Sequence, residues 1–227
     1  MWDAKTGTLY HRWRDGERDT VQLQEAYAFL LAGVLDLYEA TLEPQHLDFA
    51  ISLADSMLAR FQDQEEGGFW QSAADAPDLI LRVKEDYDGA EPSGNSVATL
   101  ALLKLAAITE RADYRKAADG ALQMASERLQ NFPQAAPYML QALDFSLREP
   151  KRVVIAGDPA QSQTRVLLHA AHSVFQPGKV VLGTAGAVEA FAKTLPAKEG
   201  ATVYLCTGTS CQAPTRDALK IKELLLK

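Results

Sequence analysis

Cysteine is scarce in this 227-residue chain, which has only Cys206 and Cys211. Two cysteines cannot build the disulfide framework of a small secreted domain, and no second ligand pair completes a zinc site. They read as free thiols, one at a strand end and one in a loop. Long apolar runs are missing too. No stretch approaches the ~18 apolar residues of a membrane span, and Met1-Trp2-Asp3-Ala4-Lys5 lacks the basic-then-apolar order of a signal peptide. A cytoplasmic protein without a membrane partner is expected. Histidine is limited to His11, His46, His169 and His172. The last two lie three apart on a predicted helix, but no nearby Cys or carboxylate completes a metal set, so neither metal nor cofactor is expected. Gly157-Asp158-Pro159 and Gly183-Thr184-Ala185-Gly186 match no nucleotide-binding signature.

What is present supports a folded core: 47% of residues are hydrophobic and 23% charged, enough for one large domain or two small ones. The net charge of −7 hides an asymmetry. Residues 1–150 carry 13 Lys and Arg against 25 Asp and Glu, whereas residues 151–227 carry 10 against 5. This break predicts a domain boundary near Pro150, and the acidic half argues against nucleic acid as a partner.

Residues 21–40 are apolar almost all round and predict a buried helix; a second runs from Pro44 to about Gln62, completing a helical hairpin. Ser93 reads as the N-cap of a third helix over 95–109, Asp113 as the cap of a fourth reaching about Gln130, and 134–147 as a fifth. After Pro150 the apolar runs 152–155, 179–182 and 202–205 read as strands, with helices at 160–173, 185–193 and from Thr215. That alternation predicts a short parallel sheet in a small α/β domain over 151–227.

Between the second and third helices, residues 63–93 form a long acidic loop, read as containing a β-hairpin and as a candidate for function. Its carboxylates include Asp63, Asp78, Glu85, Asp86, Asp88 and Glu91. If residues 81–88 are extended, the period of two puts Arg82, Lys84, Asp86 and Asp88 on one face and Leu81, Val83 and Tyr87 on the other. The charged face is either a solvated set of ion pairs or two cations and two carboxylates aimed at a ligand. Ser93, Asn95 and the free amides of the following helix can bind hydroxyl or anionic groups. Trp70, after Gly67-Gly68-Phe69, is either core or a stacking platform for a sugar.

The stretch Asp88-Gly89-Ala90-Glu91-Pro92-Ser93-Gly94-Asn95-Ser96, with Arg82-Val83-Lys84, Gly67-Gly68-Phe69, Tyr27-Ala28-Phe29-Leu30 and the late Tyr204-x-Cys206, Cys211 and Pro214, resembles the YyaL-type family. That family includes the spermatogenesis-associated thioredoxin-like proteins. The resemblance implies a mainly α fold: a partial α/α toroid like that of six-hairpin glycosidases and N-acylglucosamine 2-epimerases over 1–150, followed by the α/β module. The family's thioredoxin-like domain and the first part of its toroid have no counterpart here, so Met1 reads as an internal start. The family carries an acid directly before its Tyr-Ala pair; this chain has Ala26 there and Glu25 one place earlier.

Glycoside hydrolysis is the leading expectation, with a carbohydrate substrate. It needs one carboxyl as acid and another as base or nucleophile. Asp88 is the first candidate, partnered by Glu25, Asp86 or Glu91; Arg82, Lys84, Trp70, Tyr27, Ser93 and Asn95 are the candidate substrate-binding residues. Sugar epimerisation would call for a histidine, and none stands in the motif. A non-catalytic interaction module is the alternative from another class. Five helices are too few to close a ring, so exposed apolar flanks predict a homodimer.

Overall fold

The computed structural model describes residues 1–76, 79–198 and 200–226; Asp78 therefore lies outside the described residues. Two short hairpins, β1 (Trp2–Asp3) with β2 (Thr8–Leu9) and β3 (Trp13–Arg14) with β4 (Glu17–Arg18), precede the helices. They were not expected, although Asp15-Gly16 in the second carries the positive φ values of a tight hairpin turn.

Helices α1 (Gln24–Thr41) and α2 (Pro44–Phe61) form the first helical hairpin, with Pro44 at the first helical position. Leu47, Ala50, Leu53, Ala54, Met57 and Phe61 make the buried stripe of α2, each large side chain worth about 1.5–3 kcal/mol once out of water. α3 (Gly94–Thr109) is buried on nearly every side, and Ser93 caps it by accepting from the Ser96 N–H. The fourth predicted helix is in fact two, α4 (Ala112–Met124) and α5 (Ser126–Asn131); Arg111 stands at the N-cap, and Asp113 pairs with it instead of capping. α6 (Pro137–Ser146) follows a single 3-10 turn.

α3 lies between α1 and α6, with α2 against α1 and α4 against α3. The N-terminal ends of the row α1, α3, α6 meet. Gln24 of α1 donates to the Gly94 carbonyl at 3.1 Å, and a Cβ on Gly94 would come within 2.1 Å of the Gln24 side-chain oxygen and 3.0 Å of the Glu25 Cα, so a larger residue would have to displace the Gln24 side chain.

The second half builds β5 (Lys151–Ala156), α7 (Ser162–His172), β6 (Lys179–Leu182), β7 (Thr202–Thr207), β8 (Ser210–Cys211) and α8 (Ala218–Leu225). The sheet order is β6-β5-β7-β8, and only β5 and β6 are parallel. The expected parallel sheet is thus corrected to a mixed one. The reason lies between β6 and β7, where the predicted helix 185–193 is absent and, among the described residues, only a 3-10 turn at Ala192–Thr194 forms. Without a crossover helix the chain returns antiparallel on the other side of β5. The cysteines are also corrected: Cys206 and Cys211 face each other across β7 and β8 and are bonded as a disulfide.

One face of the sheet, including Val154, Val180, Leu182 and Tyr204, joins the same apolar core as α1 to α6, while the other packs with α7 and α8. At the junction, buried Glu39 of α1 accepts from the Val181 N–H at 2.8 Å and pairs with Lys104 of α3 at 3.0 Å. The sheet therefore sits at the C-terminal ends of α1 and α3, opposite the acidic loop.

Candidate functional site at the helix N-termini

The acidic loop contains no strand among the described residues, so the expected β-hairpin is not seen among them; two isolated bridges, Gln62 with Phe69 and Leu23 with Ser72, hold its first part. Side chains supply what a ladder would have given. Asn95, at the start of α3, accepts from the Phe69 N–H at 2.7 Å and donates to the carbonyls of Phe69 and Glu85, both at 2.9 Å. Asn95 and Ser93 are thereby occupied with the loop and the cap.

Residues 81–88 keep the period of two: Leu81, Val83, Glu85 and Tyr87 are exposed, while Arg82, Lys84, Asp86 and Asp88 turn toward the body. Each inward charge has a partner. Arg82 donates to the Ser72 carbonyl at 3.0 and 3.1 Å. The Lys84 ammonium meets Asp63 at 2.6 Å and the Gly67 carbonyl at 2.8 Å, and its hydrogen bond holds the Asp63 carboxyl below its ordinary range. Both cations lie over Trp70, at 5.1 and 4.6 Å from the ring centre, so that ring is covered by charge rather than offered to a sugar. Asp86 pairs with Arg128 at 2.8 Å.

Asp88 is the most heavily committed. It is 6% exposed; one oxygen accepts from the Ser93 N–H at 2.8 Å and the other from the N–H groups of Tyr138 and Met139 at 2.8 and 3.2 Å. The carboxylate joins the N-terminal ends of α3 and α6, where orphan amides and the helix dipoles favour a negative charge. Tyr27 is fully buried, its hydroxyl accepting from the Leu9 N–H at 2.7 Å, and burial raises its pKa.

The remaining two candidate carboxylates come together. Glu25, in the first turn of α1, and Glu91, just before α3, line one open cleft of about 460 Å³ with Gln71, Glu85 and Tyr87. Among the described residues none of these three glutamate side chains has a hydrogen-bond or ion-pair partner. The sequence placed Tyr87 on the apolar face and missed it as a site residue; the alternation that separated the faces was the available signal. Among the described residues no cluster of His, Cys, Asp or Glu is arranged to hold a metal ion, and no helix is long and apolar enough to cross a membrane.

Nearly all of the chain aligns with three mammalian proteins. It is homologous to spermatogenesis-associated protein 20. The Rattus norvegicus protein is 36% identical over 242 aligned residues, and those of Mus musculus and Homo sapiens are 35% identical over the same length. Each alignment covers 99% of this chain and 31% of the relative. Homologues named spermatogenesis-associated protein 20 therefore cover this chain at about 35% identity, in line with the resemblance carried by the Asp88–Ser96 stretch. The chain thus spans about a third of the length of these relatives. No protein-family model matches it.

Proposed function

We propose that the cleft beside the N-terminal ends of α1 and α3 binds carbohydrate and hydrolyses glycosidic bonds, with Glu25 and Glu91 as the two working carboxylates. The observation that carries this reading is their shared lining of one open cleft, neither having a partner among the described residues. One would protonate the leaving oxygen while the other acts as base or nucleophile. Tyr87, 57% exposed, offers a flat apolar ring to a sugar face, and Gln71 offers an amide to its hydroxyls. Glu25 takes the part of the acid that the family carries at the position of Ala26. The row α1, α3, α6 backed by α2 and α4 is read as an arc of an α/α toroid related to six-hairpin glycosidases and epimerases. Epimerisation is less favoured, because no histidine lines the cleft.

The test is turnover of a panel of chromogenic glycosides and polysaccharides by the purified chain. Glu25→Gln and Glu91→Gln should each lower kcat by at least about a hundredfold, the usual contribution of a positioned acid or base, with unchanged melting temperature. Full activity in both variants, or none in the native chain across the panel, would reject the reading.

The exposed apolar flanks favour a second reading, self-association. Phe29 and Leu37 on the outer side of α1 are 40% and 46% exposed, and Leu147 at the end of α6 is 76% exposed. These flanks close the two sides of the same helical row, so a second copy can cover one with the other. Sedimentation at micromolar concentration should show a dimer or larger species, dispersed by Phe29→Glu with Leu37→Lys. A monomer at every concentration would exclude it.

A further inference from the structure

The disulfide stands apart from the cleft, in a setting unlike that of an inert structural bridge. Cys206 is 1% exposed within the core, whereas Cys211 is half-buried on β8, a two-residue strand at the sheet edge flanked by exposed Ser210 and Gln212. Cys211 is thus the partly exposed member of the pair, while Cys206 is enclosed. On the neighbouring strand, Arg152 lies directly opposite Cys206 in the β5–β7 register, which puts both side chains on one face of the sheet. The Arg152 guanidinium donates to the Gly208 carbonyl, inside the turn that the disulfide closes, and pairs with buried Glu189 at 3.2 Å. Glu189 in turn donates its N–H to the Ile108 carbonyl of α3 at 2.8 Å. The bridge, the turn, Arg152, Glu189 and the end of α3 thus form one connected path.

We propose that Cys206–Cys211 is an exchangeable redox site, opened at Cys211 by a low-molecular-weight thiol, whose reduction loosens the hold of the sheet on the C-terminal end of α3. An incoming thiolate attacks the Cys211 sulfur and forms a mixed disulfide there. The Cys206–Cys211 bond breaks, and Cys206 leaves as a thiolate that a nearby guanidinium favours before it takes up a proton. A second thiol then attacks the mixed disulfide, releasing Cys211 as a thiol and the two small thiols as their own disulfide, a two-electron reduction overall. The Gln212 N–H bond to the Leu205 carbonyl at 2.9 Å and the Thr207–Ser210 pairing do not depend on the bridge. They keep the two thiols close enough to reclose.

The test equilibrates the full chain, folded, in glutathione buffers from oxidising to reducing, followed by acid quench, alkylation and mass spectrometry. The bridge should convert reversibly to the dithiol without unfolding. Cys206→Ser should capture glutathione at Cys211 at least about tenfold faster than Cys211→Ser captures it at Cys206, following thiol access; melting curves check that both variants fold. Hydrogen exchange at the Glu189 amide should rise on reduction. A bridge that resists excess dithiothreitol until the protein is denatured, equal capture at the two positions, or unchanged exchange at Glu189 would overturn the proposal.

Discussion

Asp88→Asn is expected to destabilise the fold by about 3 kcal/mol, with the loss appearing in denaturant melts whether or not any substrate is present. The native carboxylate accepts from three backbone N–H groups belonging to the ends of two helices. An ionised carboxylate is purely an acceptor and suits that environment; an asparagine amide offers one oxygen and turns an NH₂ donor toward N–H donors. At least one amide is then buried without a partner, and the favourable charge at both helix ends is lost. For a chain of this length the melting temperature should fall by roughly 6–12 °C. A loss below about 1 kcal/mol would mean that water reaches these amides and that the carboxylate is not the tie between α3 and α6. The variant also separates Asp88 from the proposed chemistry: reduced turnover in it would follow from a disturbed scaffold, unlike reduced turnover in a stable Glu25→Gln.

Gly67→Ala should cost about 2–4 kcal/mol, well above Gly68→Ala in the same loop. Both glycines have positive φ, +75° and +72°, which alone disfavours alanine by about 1–2 kcal/mol. Their surroundings differ. A Cβ on Gly67 would sit 2.3 Å from the Gly120 carbonyl oxygen in α4, and backbone in a helix cannot step aside. On Gly68 the closest atom would be the Met124 sulfur at 2.4 Å, the flexible end of a side chain that can rotate away. Equal losses in the two variants would show that the loop, not α4, absorbs the strain. Because Gly67 also presents its carbonyl to Lys84, displacement there should release the Lys84–Asp63 pair and expose Trp70, a change visible in its fluorescence.

Local pattern made the helices legible. Pro44, Ser93 and the apolar stripes of α2 and α3 fixed where those helices begin and which sides they bury, since capping and 3.6-residue periodicity act within a few residues of chain. The period of two over 81–88 was equally readable, because an extended backbone forces alternation whatever surrounds it. Which face turns inward was not readable. The charged face read either as a solvated set of ion pairs or as charges aimed at a ligand, yet Ser72, Asp63, Trp70 and Arg128, drawn from elsewhere in the chain, satisfy it within the protein.

The mainly helical first half, the strand positions after Pro150 and the residue types available for chemistry all rest on short-range propensity and spacing, and could be read from the chain alone. Tertiary structure decided the rest. It turned the expected parallel sheet into a mixed one, because the return of β7 depends on the absence of a helix in 185–193 rather than on the strands themselves. It joined Cys206 to Cys211 through a strand register that no spacing specifies. It also committed Asp88 to three amides from two separate helices while bringing Glu25 and Glu91, 66 positions apart in the numbering, into one cleft. Hydrogen-bond satisfaction and proximity of this kind arise only when distant elements pack, so a carboxylate's identity is written in the chain and its role is not.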